Sequence, residues 1–197
     1  MDWEQRYQNA DIPWDKGSAS PTILELTKKA PFYFKAESKT LVPGCGLGHD
    51  VALLRTLGLD AFGLDISKTA LRSAKETYPN LGEVWLAEDL FLLSEKGHRY
   101  DLVWEHTCYC AILPEQRERY IESIFDVLKP EGYFAGVFFI DTGQPSDVGP
   151  PFSTTRTNII ELFSPHFDLI LDYKPNQSYP GRENREHLFI WRRSSTS

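Results

Sequence analysis

Apolar and polar positions along this chain fall into blocks that switch between two periods. Short apolar runs at 39–43, 61–65, 83–87, 100–104, 133–140, 167–172 and 186–192 predict strands. Amphipathic segments at 21–30, 49–57, 68–78, 114–128 and 155–162 carry apolar residues three and four apart and predict helices. Pro114 suits a first helical turn, and Lys129-Pro130-Glu131-Gly132 reads as a stop after that helix. The run 133–140 is almost continuously apolar, as expected of a strand buried on both faces. Residues 141–153, rich in Gly and Pro, predict a loop. Alternating β and α units with short connections predict an α/β fold: a doubly wound, mostly parallel seven-stranded sheet. The turn around 176–183 is short, so the last strand is expected to pair antiparallel with the one before it. One domain spanning 1–197 is expected, with residues 1–17 forming a polar arm that carries Trp3, Tyr7 and Trp14.

The chemistry concentrates where these runs end. After the first run comes Leu41-Val42-Pro43-Gly44-Cys45-Gly46-Leu47-Gly48-His49-Asp50, with glycines at alternate positions before a helix begins. Glycines there let backbone approach a ligand closely, and the helix start offers unpaired N–H groups to an anion. The spacing is G-x-G-x-G, whereas the dinucleotide fingerprint G-x-G-x-x-G requires glycine where His49 stands. Asp65 ends the second run, where an acid roughly 20 residues past a glycine turn can accept hydrogen bonds from a ribose diol. The third run ends in Glu88-Asp89-Leu90-Phe91 and the fourth in Glu105-His106. Polar residues just past the carboxyl ends of successive parallel strands share one crevice, so a ligand site is expected there. Singly, each acid reads equally well as a helix cap or loop charge.

Composition narrows the partner. A net charge of −7 and scattered basic residues disfavour nucleic acid. No apolar run approaches a membrane span, and Met1-Asp2-Trp3-Glu4 lacks the basic start and apolar core of an export signal. The three cysteines cannot all pair, which fits reduced thiols in the cytoplasm. Cys108-Tyr109-Cys110 lacks a partner pair, and His49, His98, His166 and His187 form no metal-ligand spacing, so no metal is expected. A small-molecule substrate and a monomer are the expectation.

The ordered set resembles class I S-adenosylmethionine-dependent methyltransferases, and within them the thiopurine S-methyltransferase family, nearest its halide/thiol methyltransferase branch. The pieces that carry this are Trp3-Glu4, Tyr7, Ile12-Pro13-Trp14-Asp15-Lys16-Gly17, the glycine loop, Gly63-Leu64-Asp65-Ile66-Ser67, Glu88-Asp89-Leu90-Phe91, Cys110-Ala111-Ile112 and Gly149-Pro150-Pro151-Phe152. The resemblance implies a Rossmann-like methyltransferase fold and S-adenosyl-L-methionine as cofactor. It implies cofactor contacts at Trp3, Tyr7, Trp14, Gly44, Asp65, Asp89, Leu90 and His106. His106 stands where the thiopurine enzymes carry arginine and the halide branch tyrosine, and Tyr7 replaces a tryptophan.

In that reading Asp65 holds the ribose, Asp89 accepts from the adenine amino group and Leu90 packs on the ring. Trp3, Tyr7 and Trp14 form a lid attracted to the cofactor's sulfonium; on residues alone, an arm pinned by ordinary aromatic burial fits equally well. Methyl transfer needs alignment and desolvation more than acid–base groups, so no triad is expected. His106 either holds the cofactor, assists deprotonation of a thiol or merely caps the strand end; Asp141 is a second catalytic candidate. Tyr109, Phe139 and Phe152 are candidate walls for the acceptor, most readily a thiol, bisulfide or thiopurine-type sulfur, with halide also open. Methylation of oxygen, nitrogen or a metalloid, a non-catalytic S-adenosylmethionine binder and a nicotinamide-dependent oxidoreductase stay open beside it.

Overall fold

The computed structural model describes residues 1–195; the last two residues of the expected 1–197 domain, Thr196 and Ser197, lie outside the described residues. Seven strands, β1 (Lys39–Pro43), β2 (Asp60–Asp65), β3 (Trp85–Ala87), β4 (Tyr100–His106), β5 (Leu128–Phe139), β6 (Phe167–Tyr173) and β7 (Glu186–Arg193), form one sheet. Their order is β3-β2-β1-β4-β5-β7-β6. The first five pair in parallel, while β7 runs antiparallel to both β5 and β6. The seven strands, the parallel majority and the antiparallel end match the pattern in the sequence. The insertion of β7 between β5 and β6 is not encoded in any local pattern.

Helices α2 (Pro21–Lys29), α3 (His49–Thr56), α4 (Lys68–Thr77), α5 (Arg117–Val127) and α6 (Arg156–Phe163) follow the predicted segments within a few residues. An additional short helix, α1 (Trp3–Gln8), lies in the arm; it buries no residue and so leaves no apolar stripe to read. The stop expected at 129–132 is a bulge within β5. Tyr100 pairs with Leu128, the register shifts, and Leu102 pairs with Tyr133. The strand therefore starts five residues before the apolar run, straight from the end of α5.

Successive strand residues point to opposite faces, and the sheet is buried on both. On one face Leu41, Val103, Phe134, Phe138, Phe189 and Trp191 pack against Tyr120, Ile121 and Ile124 of α5 and Ile159 and Phe163 of α6. On the other, Val42, Leu102, Trp104, Ala135 and Ile190 meet Ile23 and Leu26 of α2 and Val51 and Leu54 of α3. Trp104 and Trp191 are fully buried, so the strand ends sit on a rigid base. That base aims the carboxyl ends of β1, β2 and β4 into one crevice.

Candidate active site beneath the N-terminal arm

The crevice begins at the turn from β1 into α3. Gly44, Gly46 and Gly48 adopt φ of +60°, +53° and +80°, the left-handed region that disfavours side chains. At Gly48 a Cβ would lie 2.5 Å from the Trp85 ring, so a side chain there would displace β3 as well as strain the turn. At Gly46 a Cβ would lie 2.8 Å from the Tyr7 hydroxyl, because the arm passes directly over the loop.

Asp65, at the end of β2, ties the loop to the next helix. Its Oδ2 accepts from the Gly46 N–H at 3.0 Å and its Oδ1 from the Ser67 N–H at 2.9 Å. Each oxygen keeps a second lone pair. Asp65 is only 8% exposed, and burial raises its carboxyl above the usual carboxylate range despite those bonds. Ile66, next in sequence, is a large apolar residue 56% exposed beside this carboxylate.

Asp50, in the first turn of α3, is the second buried acid. Its Oδ1 accepts from the Ser20 N–H at 2.7 Å; its Oδ2 accepts from Trp104 Nε1 at 2.8 Å and pairs with His106 Nδ1 at 2.9 Å. Burial pushes its carboxyl up, but the His106 ring and these donors outweigh it, and the net direction is down. The other edge of the His106 ring, Nε2, is buried and has no partner among the described residues. Tyr179 stacks on that ring, centroids 5.7 Å apart and 27° between planes, and its hydroxyl donates to the Ser18 carbonyl. Thr107 follows at φ +63°, a left-handed conformation that costs a β-branched residue about 1–3 kcal/mol and marks this strand end as held under strain.

The arm closes the crevice. Glu4 accepts from Ser67 Oγ at 2.7 Å, Thr69 Oγ1 at 2.6 Å and the Thr69 N–H at 3.1 Å, fastening α1 to the start of α4. The hydrogen bonds from Thr69 and Ser67 hold its carboxyl at about 2. Trp14 packs edge-on against Trp3 and Tyr7, donates from Nε1 to the Tyr7 hydroxyl at 3.2 Å, and takes the Arg6 guanidinium over its ring at 4.3 Å. Burial raises the Tyr7 hydroxyl, helped by the nearby Asp65 charge. The space enclosed beneath has a volume of about 60 Å³. Small-molecule sites commonly run from about 300 Å³ upward, so the space left beneath the arm is smaller than such a site.

Of the residues picked out from sequence, Tyr7, Trp14, Gly44 and His106 line this cavity. Asp65 adjoins it through Gly46, and Trp3 stands behind Trp14. Asp89 is exposed past β3, its carboxylate accepting from the Phe91 N–H at 2.9 Å, and Leu90 beside it is 8% exposed. Other candidates lie elsewhere. Tyr109 is 1% exposed, its ring packed inside the aromatic core with Tyr120, Phe138 and Phe163, while its N–H donates to Glu105 at 2.8 Å. Phe152 is also buried, its N–H bonded to the Cys110 carbonyl. Phe139 is half-buried, with the guanidinium groups of Arg182 and Arg185 each 5.1 Å from its ring. Asp141 is exposed on the loop after β5, its carboxylate accepting from the Gly143 N–H. Asp50, Glu4 and Tyr179 were not among the sequence candidates. Among the described residues no cluster of three or more His, Cys, Asp or Glu side chains is placed to hold a metal, and no helix is long and apolar enough to cross a membrane.

A sheet of this order, a glycine turn after β1 and an acid ending β2 define a Rossmann-like methyltransferase fold. The chain superimposes on the 1,6-didemethyltoxoflavin-N1-methyltransferase of Burkholderia thailandensis with a TM-score of 0.78 at 19% identity, covering 98% of this chain and 86% of that one. Residues 1–189 match the model of the thiopurine S-methyltransferase family, and the chain belongs to that family. It is 32% identical to the probable thiol methyltransferase 2 of Arabidopsis thaliana, over 98% of this chain and 85% of the relative. It is 31% identical to thiocyanate methyltransferase 1 of the same plant, over 97% and 84%. The protein is an S-adenosylmethionine-dependent methyltransferase.

Proposed function

We propose that the protein transfers a methyl group from S-adenosylmethionine to the sulfur of a small thiol-type acceptor inside the crevice under the arm. The observation that carries this reading is the Asp65 carboxylate, buried, fixed by the Gly46 and Ser67 N–H groups and left with a free lone pair on each oxygen. That arrangement suits a ribose diol. The Gly44–Gly48 backbone would hold the methionine part of the cofactor, and Ile66, Asp89 and Leu90 would hold the adenine end, with Asp89 as acceptor for the amino group. Bound S-adenosylmethionine supplies an activated methyl on a sulfonium sulfur, with a neutral thioether as leaving group.

The chain's own part is to bind, align and exclude water. Tyr7 and Trp14, backed by Trp3, present ring faces that attract a cation, and Glu4 latches them shut. His106, which lines the cavity, would face the acceptor, while Asp141 has no catalytic part in this reading. Phe139, with Arg182 and Arg185 over it, is the remaining candidate for an acceptor wall. The names of the thiol and thiocyanate methyltransferase relatives support sulfur as the atom methylated. The free Cys45, Cys108 and Cys110, whose thiols burial pushes up, suit a reducing cytoplasm.

The test is calorimetric titration with S-adenosylhomocysteine, followed by turnover on an aliphatic thiol, hydrosulfide, thiocyanate and a thiopurine. Binding and methylation of at least one sulfur acceptor are expected. Failure of the folded protein to bind S-adenosylhomocysteine overturns the reading. Binding without turnover on any acceptor makes the chain a non-catalytic binder instead.

A further inference from the structure

Building on the methyl-transfer reading, we propose that Asp50 and His106 form a base couple that takes the proton from an un-ionised thiol. Asp50 is the positioning residue, and the couple selects neutral thiols over acceptors that arrive already charged, such as thiocyanate or halide.

The geometry fixes the proton. An ionised carboxylate only accepts hydrogen bonds, so the His106 Nδ1 that faces Asp50 Oδ2 at 2.9 Å carries the hydrogen. In the neutral ring the lone pair then belongs to Nε2. Nε2 is buried without a partner on a ring that lines the cavity. Buried acceptors without partners are rare and costly, and an S–H group entering the crevice is a fitting donor. An anion offers no hydrogen and sets its charge against the lone pair.

The ring has little freedom to turn away. Tyr179 stacks on one face, and Asp50 is itself held by the Ser20 N–H and the Trp104 indole from two other elements. The ionisable groups around the ring are Asp50 of α3, Glu105 of β4, Tyr7, Asp15, Lys16, Cys45 and His49 at the cavity, and Tyr179 with Arg182 5.6 Å from its ring. Asp50 is the one in hydrogen-bond contact, and its charge stabilises the imidazolium that proton transfer creates.

In the step, Nε2 takes the proton as the S–H bond breaks, and its electron pair stays on the acceptor sulfur. That sulfur forms a bond to the methyl carbon as the carbon–sulfonium bond breaks onto the cofactor sulfur. The proton leaves Nε2 for solvent when the arm lifts. The balance is one thiol and one sulfonium giving two thioethers and a proton.

The experiment measures kcat/KM against pH for an aliphatic thiol and for thiocyanate, in the wild type, His106→Gln and Asp50→Asn. Both acceptors share the cofactor, so their ratio is insensitive to any loss of cofactor affinity. At pH 7, His106→Gln is expected to lower the thiol-to-thiocyanate ratio by roughly 10²-fold, the usual scale of a lost general base. The deficit should close as pH rises through the thiol's own pKa, about 8.5 for a cysteine-like thiol. Nitrogen NMR of the ligand-free protein should show His106 with the hydrogen on Nδ1, and that preference should fall in Asp50→Asn. If Asp50→Asn fails to fold, the wild-type tautomer and the His106→Gln ratio decide. An unchanged ratio, or hydrogen on Nε2 in the wild type, overturns the base couple while methyl transfer by the wild type still stands. Absence of wild-type turnover on the aliphatic thiol alone overturns the selection of neutral thiols, and absence on all four sulfur acceptors removes the sulfur-methylation reading itself.

Discussion

Replacing Asp65 by Asn separates what this carboxylate does for the fold from what it does for the ligand. In the free protein it accepts two backbone hydrogen bonds, from Gly46 and Ser67. The amide keeps one acceptor oxygen and turns an NH2 toward the other N–H. One buried donor is orphaned, which costs about 1–3 kcal/mol. Against this, burial disfavours the charge that Asn removes, as the raised carboxyl shows, so the net loss of stability sits at the low end of that range. For a chain of 197 residues each kcal/mol moves Tm by about 2–4 °C. A drop of a few degrees is expected.

The ligand is expected to suffer more. Hydrogen bonds to a charged acceptor contribute about 1.5–3 kcal/mol each, and the amide keeps one weaker, neutral acceptor for a diol that used two charged ones. A loss of about 2–4 kcal/mol follows, or roughly 30- to 700-fold in Kd for S-adenosylhomocysteine. Calorimetric titration measures the Kd and scanning calorimetry the stability. Because folding raises the Asp65 carboxyl, wild-type affinity should also climb as pH rises through that group's folded pKa, and the variant should lose this dependence. A Kd within about threefold of wild type, with the pH dependence intact, refutes the assignment of Asp65 to the ribose.

Two further changes test the arm and the core. Glu4→Ala removes the latch; since the folded carboxyl sits at about 2 against an ordinary 4.5, its stabilisation is full above the ordinary value and fades as pH falls toward 2. The Tm gap between wild type and Glu4→Ala should therefore be constant from neutral pH down to about the ordinary carboxylate pKa and narrow below it, while S-adenosylhomocysteine dissociates faster from the variant; a pH-independent gap contradicts the latch. Phe163→Ala opens a cavity where the ring stacks on Phe134 at 5.3 Å and on Trp191 at 5.5 Å; the expected cost is about 3–5 kcal/mol, read as a lowered denaturation midpoint in urea, and a loss under about 1 kcal/mol would contradict the packing.

What the sequence disclosed follows from how local each signal is. The β1 run, the glycine turn and Asp65 lie within a stretch whose spacing alone carries the geometry, and they were legible together. Asp50 stood in the same stretch and was missed, because an acid in a helix's first turn reads as a favourable end charge. Its partners Ser20, Trp104 and His106 lie 30, 54 and 56 residues away, beyond any local pattern. Tyr179 was invisible for the same reason: only the pairing of β6 with β7 brings their connecting loop back over His106. Tyr109 shows the converse case. It sits in a stretch that reads as a site wall, yet its ring packs against Tyr120 and Phe138 in the core, contacts that lie beyond any local pattern.

The two buried aspartates make a physical contrast that orders the whole site. Both sit at the carboxyl end of the sheet and both are desolvated, but burial wins at Asp65 and the donors win at Asp50. Asp65 meets only backbone N–H groups, so its charge remains under-compensated until further donors arrive, and ligand hydroxyls are suited to supply them. Asp50 has a titratable ring, an indole and an amide N–H already in place, so its charge is settled within the protein and is expressed through His106. A ligand that satisfies Asp65 has no need to touch Asp50. Cofactor binding should therefore respond to substitution at the first aspartate and acceptor chemistry to substitution at the second, with effects of Asp65→Asn and His106→Gln on kcat/KM that add in free energy. Strong non-additivity between them would mean that one ligand group spans both carboxylates, and the division of labour argued from their environments would fall.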